Sequence, residues 1–298
     1  MRNNANDILF RCSSLGHIAV EGNKITNIQL KKIDELLAKP KATDLQLAEL
    51  KNLSEKRDAK PELTIGVITH LIDVYVSNQY NRFTDIKSKF LDKGNEVEED
   101  SITTVSRINK KFYKKNIGFI HNKFIKGTPD LYEGESIYKA KVIRDTKSSW
   151  DLYTFTRAKH KECAAMYKWQ VTGYMDLTGA DTAYVDYCLN NTPYNLINKE
   201  LYYEGFNHTD SNTPAWIELQ LIANHVYDKK TFDDYISIRG ININEDGNSK
   251  AVYHEFVEVD LKERYFSFEF HRNENDINFI HKKVLECREY MNENFYNN

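Results

Sequence analysis

Apolar residues recur at helical spacing near the start of the chain, and they predict a helical hairpin over residues 25–60. The apolar positions fall into two sets: Leu30, Ile33, Leu36 and Leu37, and then Leu47, Leu50 and Leu53. Pro40 divides the two sets and predicts the turn between the helices. The other positions carry charges of both signs, which is typical of a solvated face, and an arm that contacts another protein is the alternative. Residues 63–79 are more apolar and predict a core helix.

Two strands joined by a tight turn are predicted in the middle of the chain. The apolar segment 124–131 predicts the first strand, Glu133-Gly134-Glu135 the turn, and residues 136–147 the second strand. Upstream of them, Gly94 interrupts a helical pattern that resumes at once, with four acidic residues crowded into the first turn of the new helix.

A helix and a third strand are predicted to follow. The helix covers residues 155–177, and Gly179 is its expected cap. The sequence ADTAYVDYCLNNTP (180–193) favours a strand, because Ala183, Val185 and Tyr187 alternate with Tyr184, Asp186 and Cys188.

The last third of the chain is predicted to be mainly helical. Residues 195–250 indicate polar helices with a loop at 243–250, and residues 251–261 favour a strand. A terminal helix is expected from Tyr265 onward. Its candidate core face is Ile277, Ile280, Val284, Leu285 and Tyr290.

Composition places the chain among globular proteins. It has 298 residues, 41% of them hydrophobic and 29% charged, which suffices for a sizeable core. No internal repeat or low-complexity linker divides it, so one elaborated domain over residues 1–298 is expected. No apolar run reaches the roughly 18 residues of a membrane span. The N-terminus lacks a secretory signal, so we expect no membrane contact and a cytoplasmic location, in a bacterium or a phage-infected host.

The cysteines and the net charge exclude some classes of site. The four cysteines lie far apart, and no pair has the spacing of a zinc or iron–sulfur motif. The net charge of −3 disfavours a protein that only binds nucleic acid. A nuclease remains compatible with it, because carboxylates collect at a metal site.

Two aspartates and a lysine are the main candidates for chemistry. Asp130 follows a Thr-Pro at the end of the first predicted strand, and Asp145 and Lys147 lie two apart on the second. Residues i and i+2 of a strand face the same side, so Asp145 and Lys147 point in one direction. The two carboxylates and the carbonyl of Thr146 are suitable ligands for Mg²⁺, or for Mn²⁺ in its place. Lys147 would then orient or help to deprotonate an attacking water and stabilise charge on a phosphate. A surface salt bridge is the structural alternative.

Helices supply further candidates. Gln170 and Tyr174 are four residues apart, hence on one helical face. Glu98 lies beside the inward face that Val97 and Val105 mark, so it is a candidate metal ligand. Its alternative role is to offset the helix dipole.

Other polar and aromatic residues are candidates for DNA contacts. Arg11 next to Ser13 and Ser14 can bind a phosphate through charge-assisted hydrogen bonds, although a capped turn before a helix is the simpler interpretation. Trp150 can stack on a base or pack at a strand end.

The order of these residues resembles the PD-(D/E)xK nuclease superfamily: Pro129-Asp130, a hairpin, Asp145-Thr146-Lys147 and a helix that carries Gln170. Residues 90–195 are similar to the catalytic core of the phage-type recombination exonucleases, the lambda exonuclease and YqaJ-like group. The resemblance implies an α/β fold with a restriction-endonuclease-like core, in which helices flank a mixed central β-sheet. Here an N-terminal helical hairpin and C-terminal helices are added.

The resemblance also implies roles for individual residues. By position in the motif Gly94–Glu99, Glu98 contributes to the metal site, and Gln170 lies near the metal and the scissile phosphate. Thr128 resembles a phosphate-contacting Ser of the group. The predicted DNA- and phosphate-binding set is Arg11, Ser13, Ser14, Thr128, Ser148, Trp150 and Tyr174.

The expected function is therefore a magnesium-dependent exonuclease. It would degrade one strand of linear double-stranded DNA, 5′ to 3′, in phage-type recombination, and leave a single strand for an annealing protein. A homo-oligomer is implied by the resemblance alone. The alternatives are an endonuclease of restriction or repair type on the same fold, and a non-catalytic DNA-binding recombination protein.

Overall fold

The computed structural model divides the chain into two compact units. It describes residues 4–22, 25–58, 63–84, 88–203, 214–244 and 246–296. The first unit comprises residues 1–8, 14–84 and 278–298, and the second comprises residues 9–13 and 85–277. The expectation of one elaborated domain stays a prediction.

Helices make up the first unit. They are α1 (Leu15–Ile18), α2 (Asn27–Leu37), α3 (Asp44–Asp58), α4 (Ile65–Tyr80) and the later part of α13 (Glu274–Met291). The predicted hairpin over 25–60 is confirmed as α2 and α3. Thr26 starts α2 with a capping box, because its side chain accepts from the backbone N–H of Gln29 and the Gln29 side chain accepts in return. The predicted core helix forms as α4, but its residue Ile65 is 83% exposed, so only part of α4 belongs to the core.

A five-stranded sheet organises the second unit. Its strands are β2 (Lys114–Lys115), β5 (Leu131–Gly134), β6 (Ala140–Ser148), β7 (Thr182–Cys188) and β8 (Tyr265–His271), in the order β2-β5-β6-β7-β8. β6 and β7 run parallel and the other neighbours antiparallel, so the predicted mixed sheet is confirmed. A smaller sheet has the order β1-β4-β3, from β1 (Phe10–Arg11), β3 (Ile120–His121) and β4 (Ile125–Gly127).

The predicted strand 124–131 is wrong as one element. It forms β4 and β5, which belong to different sheets, and residues 128–130 connect them. Pro129 explains the break, since it has no N–H to donate to a neighbouring strand and favours strand ends. Asp130 therefore lies at the junction of the two sheets rather than at the end of one strand.

The turn between β5 and β6 also lies later than predicted. β5 continues through Gly134, where the register with β6 shifts, and residues 137–139 form a 3₁₀ turn. Gly134 has φ 153°, and a Cβ there would meet the carbonyl oxygen of Lys139 at 2.4 Å, so only glycine fits.

Two predicted helix boundaries are wrong. Gly94 lies inside α5 (Lys89–Glu96), and the break before α6 (Glu98–Asn109) falls at Val97, which is 1% exposed. The predicted helix 155–177 is divided into α7 (Leu152–Lys159) and α8 (Ala165–Thr178). The cap is correct, because Gly179 ends α8 with φ 76°.

Helices α9 (Tyr194–Tyr203), α10 (Ala215–His225), α11 (Lys229–Arg239) and α12 (Gly247–Glu255) confirm the helical character of the described part of residues 195–250. The predicted loop at 243–250 is wrong in its second half, because α12 begins at Gly247. The predicted strand 251–261 is wrong. Its first half belongs to α12, because the Asp246 side chain accepts from the Ser249 N–H and starts a helix there.

The strand that completes the main sheet is β8, in residues expected to start the terminal helix. β8 pairs with all of β7, from Thr182 opposite His271 to Cys188 opposite Tyr265. In α13, Ile277, Ile280 and Val284 are buried as expected, whereas Leu285 is 53% exposed. Within the described residues, no helix has both the length and the apolar character needed to cross a membrane.

Candidate active site

Asp130 and Asp145 meet where β5 and β6 begin to diverge. Leu131 pairs with Arg144 in the antiparallel ladder, so the preceding Asp130 is placed opposite Asp145. Asp145 is 2% exposed and Asp130 is half-buried. The structure thus brings together the two carboxylates that the sequence singled out.

Thr146 fixes the orientation of Asp130. Its backbone N–H donates to Asp130 Oδ2 at 2.7 Å, and its hydroxyl donates to the same oxygen at 2.9 Å. Burial and the neighbouring Asp145 raise the pKa of Asp130 to about 7, although the Thr146 hydrogen bonds act in the opposite direction. The charged form of Asp130 is therefore disfavoured here unless a cation lies close by.

Lys147 and Gln170 hold the other carboxylate. The Lys147 ammonium lies 2.6 Å from Asp145 Oδ2, and the Gln170 amide nitrogen donates to Asp145 Oδ1 at 3.0 Å. Lys147 also donates to the Gln170 amide oxygen at 3.2 Å, which closes a three-membered network. Burial alone would lower the pKa of Lys147, but the adjacent Asp145 more than offsets this and leaves it raised. The salt bridge considered from the sequence exists, and it is largely buried.

One face of α8 carries the helical part of the site. Tyr167, Gln170 and Tyr174 follow each other at i, i+3 and i+7. The Gln170 amide nitrogen donates to the Tyr174 hydroxyl at 2.9 Å, and the Lys147 ammonium lies 4.6 Å from the centre of the Tyr167 ring. Sequence reasoning missed Tyr167, although its spacing from Gln170 was a usable signal.

Tyr174 is a supporting residue in this structure. It is 4% exposed, so its ring is covered by protein, and the predicted DNA contact has no surface to use. A Cβ on Gly127 would lie 2.6 Å from Tyr174 Cε1, so glycine is required for the close packing of β4 against α8. Tyr174 thereby fixes Gln170 from behind.

The donor set fits a hard cation that keeps several waters. Two carboxylates face one ammonium, and burial, followed by the neighbouring Asp145, raises the pKa of Asp130. The N–H and C=O of a strand residue point to the same neighbour, so the Thr146 carbonyl points towards the β5 side, as its N–H does. Continuing the register places Pro129 opposite Thr146, and Pro129 has no N–H for that carbonyl. Magnesium is commonly bound by one or two carboxylates with waters completing its shell.

Glu98 does not join these carboxylates. It forms an ion pair with Lys115 at 2.8 Å and its side chain is 41% exposed. Across the part of the chain that the structure describes, no group of three or more His, Cys, Asp and Glu side chains is placed to hold a metal ion. The role of Glu98 as a metal ligand stays a prediction.

The predicted phosphate contacts are placed differently from one another. Arg11 and Ser13 are exposed and belong to the second unit, whereas Ser14 belongs to the first and precedes α1 without a side-chain capping bond. Thr128 precedes Pro129, and its buried hydroxyl has no hydrogen-bond partner among the described residues. Such a hydroxyl is suited to a ligand oxygen.

Ser148 and Trp150 are committed to protein contacts. The Ser148 hydroxyl lies 2.9 Å from that of the buried Ser101. Trp150 is 6% exposed and packs edge-to-face on Phe90 and His225, at 5.9 and 4.9 Å between ring centres. The packed role considered for Trp150 is thus the one that the structure favours, since the side chain is almost fully buried.

Comparison with solved structures confirms the predicted resemblance at the level of fold. A phage related exonuclease from Haemophilus somnus 129PT superposes with a TM-score of 0.59 at 22% sequence identity, covering 98% of this chain and 96% of that one. An alkaline exonuclease, LHK-Exo, from Laribacter hongkongensis gives a TM-score of 0.48 at 11% identity, covering 97% and 92%. The chain therefore has the α/β fold of the first protein over nearly its whole length. No family model and no curated protein sequence matches the chain.

Proposed function

We propose that the protein is a magnesium-dependent exonuclease that hydrolyses one strand of linear double-stranded DNA from its 5′ end. The observation that carries this proposal is the pair Asp130 and Asp145 beside Lys147 and Gln170. The fold shared with a phage related exonuclease supports it. The protein would act in phage-type recombination and leave a single strand for an annealing protein, with more than one copy of the chain in the active particle.

Asp130, Asp145 and the carbonyl of Thr146 would hold the metal. Once bound, Mg²⁺ would neutralise charge on the phosphate and lower the pKa of a coordinated water. Thr146 keeps Asp130 Oδ2 occupied with two hydrogen bonds, which leaves Oδ1 as the oxygen available to a cation. Glu98 is expected to contribute after exchanging its ion pair with Lys115.

Lys147 acts on the reacting groups themselves. Its raised pKa keeps it protonated at neutral pH, so it donates hydrogen bonds to the attacking water and to the phosphate. Gln170 fixes both Lys147 and Asp145, and Tyr174 fixes Gln170. This preorganisation reduces the reorganisation needed when negative charge develops on the phosphate.

Contacts to the DNA backbone would come from residues next to the site. Thr128 adjoins Asp130 through Pro129, and it is proposed as a phosphate contact because its hydroxyl has no hydrogen-bond partner among the described residues. Arg11 lies on β1, which pairs with β4 just upstream of Thr128. Arg11 and Ser13 are the proposed contacts to the 5′-terminal phosphate.

Digestion of linear, nicked and covalently closed duplexes in the presence of Mg²⁺ tests this function. We expect mononucleotides from linear DNA alone, with a 5′ label released before a 3′ label. The variant Arg11→Ala should lose the preference for a 5′-phosphate over a 5′-hydroxyl end. Glu55→Gln is the control, because Glu55 lies on α3 in the first unit with its side chain 64% exposed.

Each alternative function gives a different result. Cutting of closed circles would favour an endonuclease of restriction or repair type. Duplex binding without cleavage, unchanged in Lys147→Ala, would favour a non-catalytic recombination protein. Absence of both cleavage and binding across salts and divalent metals would refute the proposal.

A further inference from the structure

Three groups surround the Lys147 ammonium, and one of them is an aromatic ring. Asp145 lies 2.6 Å away and the Gln170 oxygen 3.2 Å away, and the ammonium lies over the Tyr167 ring, 4.6 Å from the ring centre. A cation over an aromatic face at this distance is attracted by the ring quadrupole. The carboxylate and the amide have clear roles, whereas the ring has none in the chemistry.

A row of side chains on the main sheet supports the Tyr167 ring. Lys147 on β6 pairs with Tyr187 on β7, and Tyr187 pairs with Phe266 on β8, so the three side chains stand in one row on the same face. Tyr187 and Phe266 stack with 4.8 Å between ring centres and 8° between planes. Phe266 in turn contacts the buried Phe155 edge-to-face at 5.0 Å.

Tyr167 joins this aromatic row from the helix above it. Its ring meets Tyr187 edge-to-face at 6.2 Å, with 70° between the planes. Because Tyr167 is three residues before Gln170, one face of α8 presents both side chains to Lys147. A continuous series of ring contacts therefore runs from the buried Phe155 to the Tyr167 ring that contacts the Lys147 ammonium.

We infer that Tyr167 is a positioning residue, whose ring holds the Lys147 ammonium between Asp145 and Gln170. The inference rests on the proposed function for the identity of the reaction, and on the ring–ammonium geometry for the role. A lysine has four rotatable bonds and loses much freedom when fixed, so a site that needs its nitrogen at one point must restrain it. The hydroxyl of Tyr167 has no part in this role, and the ring has all of it.

Two substitutions separate the ring from the hydroxyl. Tyr167→Phe keeps the ring, and we expect a kcat on linear duplex within about twofold of the wild type. Tyr167→Leu removes the ring but retains an apolar side chain, and kcat should fall by about 3- to 30-fold, the range for a cation–π contact. The KM for DNA ends should stay unchanged in both variants, because Lys147 acts on the transition state.

A second measurement does not depend on nuclease activity. Lys147 can be acylated with an amine-reactive ester and its labelling rate read by peptide mass spectrometry, relative to Lys51, whose side chain is 78% exposed. Without the ring the ammonium is less shielded, so labelling should be several-fold faster in Tyr167→Leu and unchanged in Tyr167→Phe.

The outcomes distinguish the two levels of inference. If Tyr167→Leu labels and turns over like the wild type, or if Tyr167→Phe is as impaired as Tyr167→Leu, the positioning role is overturned. If no variant and no wild-type protein releases nucleotides, the proposed function fails and the labelling rates alone decide on Tyr167.

Discussion

Replacement of Gly127 by alanine tests how tightly the site depends on its packing. A Cβ at this position would lie 2.6 Å from Tyr174 Cε1, 2.9 Å from Cys12 Sγ and 3.1 Å from Cys12 Cβ. Ordinary carbon contacts begin near about 3.5 Å, so the Tyr174 ring must retreat by roughly 1 Å. Overpacking of this kind costs about 1–3 kcal/mol, which corresponds to a fall in Tm of roughly 2–5 °C for a chain of this size.

The same displacement should reach the chemistry. The Tyr174 hydroxyl accepts from the Gln170 amide at 2.9 Å. A shift of about 1 Å would lengthen this donor–acceptor distance beyond the usual range of a hydrogen bond. Gln170 would then hold Asp145 and Lys147 less firmly, so nucleotide release should fall by roughly tenfold or more. Tyr174→Phe removes the hydroxyl but leaves the ring, and it should lower activity with a smaller loss of Tm.

Calorimetric melting and nucleotide release from linear duplex are the two assays. Gly94→Ala is the matched control, since Gly94 lies within α5 and a Cβ there would meet nothing within 4 Å. This control should gain up to about 1 kcal/mol, because alanine favours helix. A Gly127→Ala protein with the Tm and activity of the wild type would show that β4 and α8 are not packed as described.

Three further predictions concern single interactions. Thr146→Val removes one of the two hydrogen bonds to Asp130, so it should weaken activation by Mg²⁺ roughly tenfold, and Thr146→Ser should restore this activation. Nuclease kinetics over a range of Mg²⁺ concentrations measure the effect, and equal activity of the two variants would contradict the prediction. Burial lowers the pKa of Lys93 to about 7, whereas an unfolded lysine has about 10.4, so the unfolded chain holds a proton between these values that the folded chain lacks. The free energy of unfolding of the wild type should therefore rise with pH across this window, by up to about 1.4 kcal/mol per pH unit. Lys93→Met lacks this titration, so its advantage over the wild type in urea unfolding should shrink from pH 7 upward. A difference that stays constant with pH would count against a neutral buried lysine. Asp186→Asn breaks the buried ion pair with Arg144, 2.8 Å long, and should cost about 3–5 kcal/mol in the same unfolding measurement, with a loss below 1 kcal/mol as the contrary result.

Local signals predicted the elements that local residues determine. The αL cap at Gly179 and the helical spacing behind α2 and α3 each depend on a few neighbouring residues, and the structure has the cap and both helices. The strand period predicted that Asp145 and Lys147 share a face, whereas their grouping with Asp130 and Gln170 came from the order of the motifs and the resemblance that this order carries.

The wrong secondary-structure predictions concern segments whose conformation depends on residues outside the segment. The alternating sequence of β8 becomes a strand because it completes the sheet beside β7, and nothing local separates it from the helix that follows. The β-prone residues at 251–255 become α12 because Asp246 starts a helix before them, so a cap overrode propensity. Pro129 was noted as part of a motif, but its effect as a strand breaker was missed.

Burial was the other property that the sequence concealed. Trp150 and Tyr174 carry groups that suit a DNA contact, yet both lie in the core, and their exposure depends on packing by Phe90, His225 and Gly127. The spacing of Tyr167 from Gln170 indicates a shared helical face, but the contact of its ring with the Lys147 ammonium depends on how α8 packs on the sheet.

The most direct test of the whole account is nucleotide release from linear duplex DNA by the wild type and by Asp145→Asn, with Mg²⁺ and then with excess chelator. Asp145→Asn preserves the shape of the side chain and its capacity to accept from Gln170, while it removes the charge that a metal needs. We expect release by the wild type with Mg²⁺, loss of release on chelation, and no release by the variant although it folds and binds duplex. Release by Asp145→Asn at the wild-type rate, or wild-type release that persists in chelator, would contradict a metal-dependent nuclease site at Asp130 and Asp145.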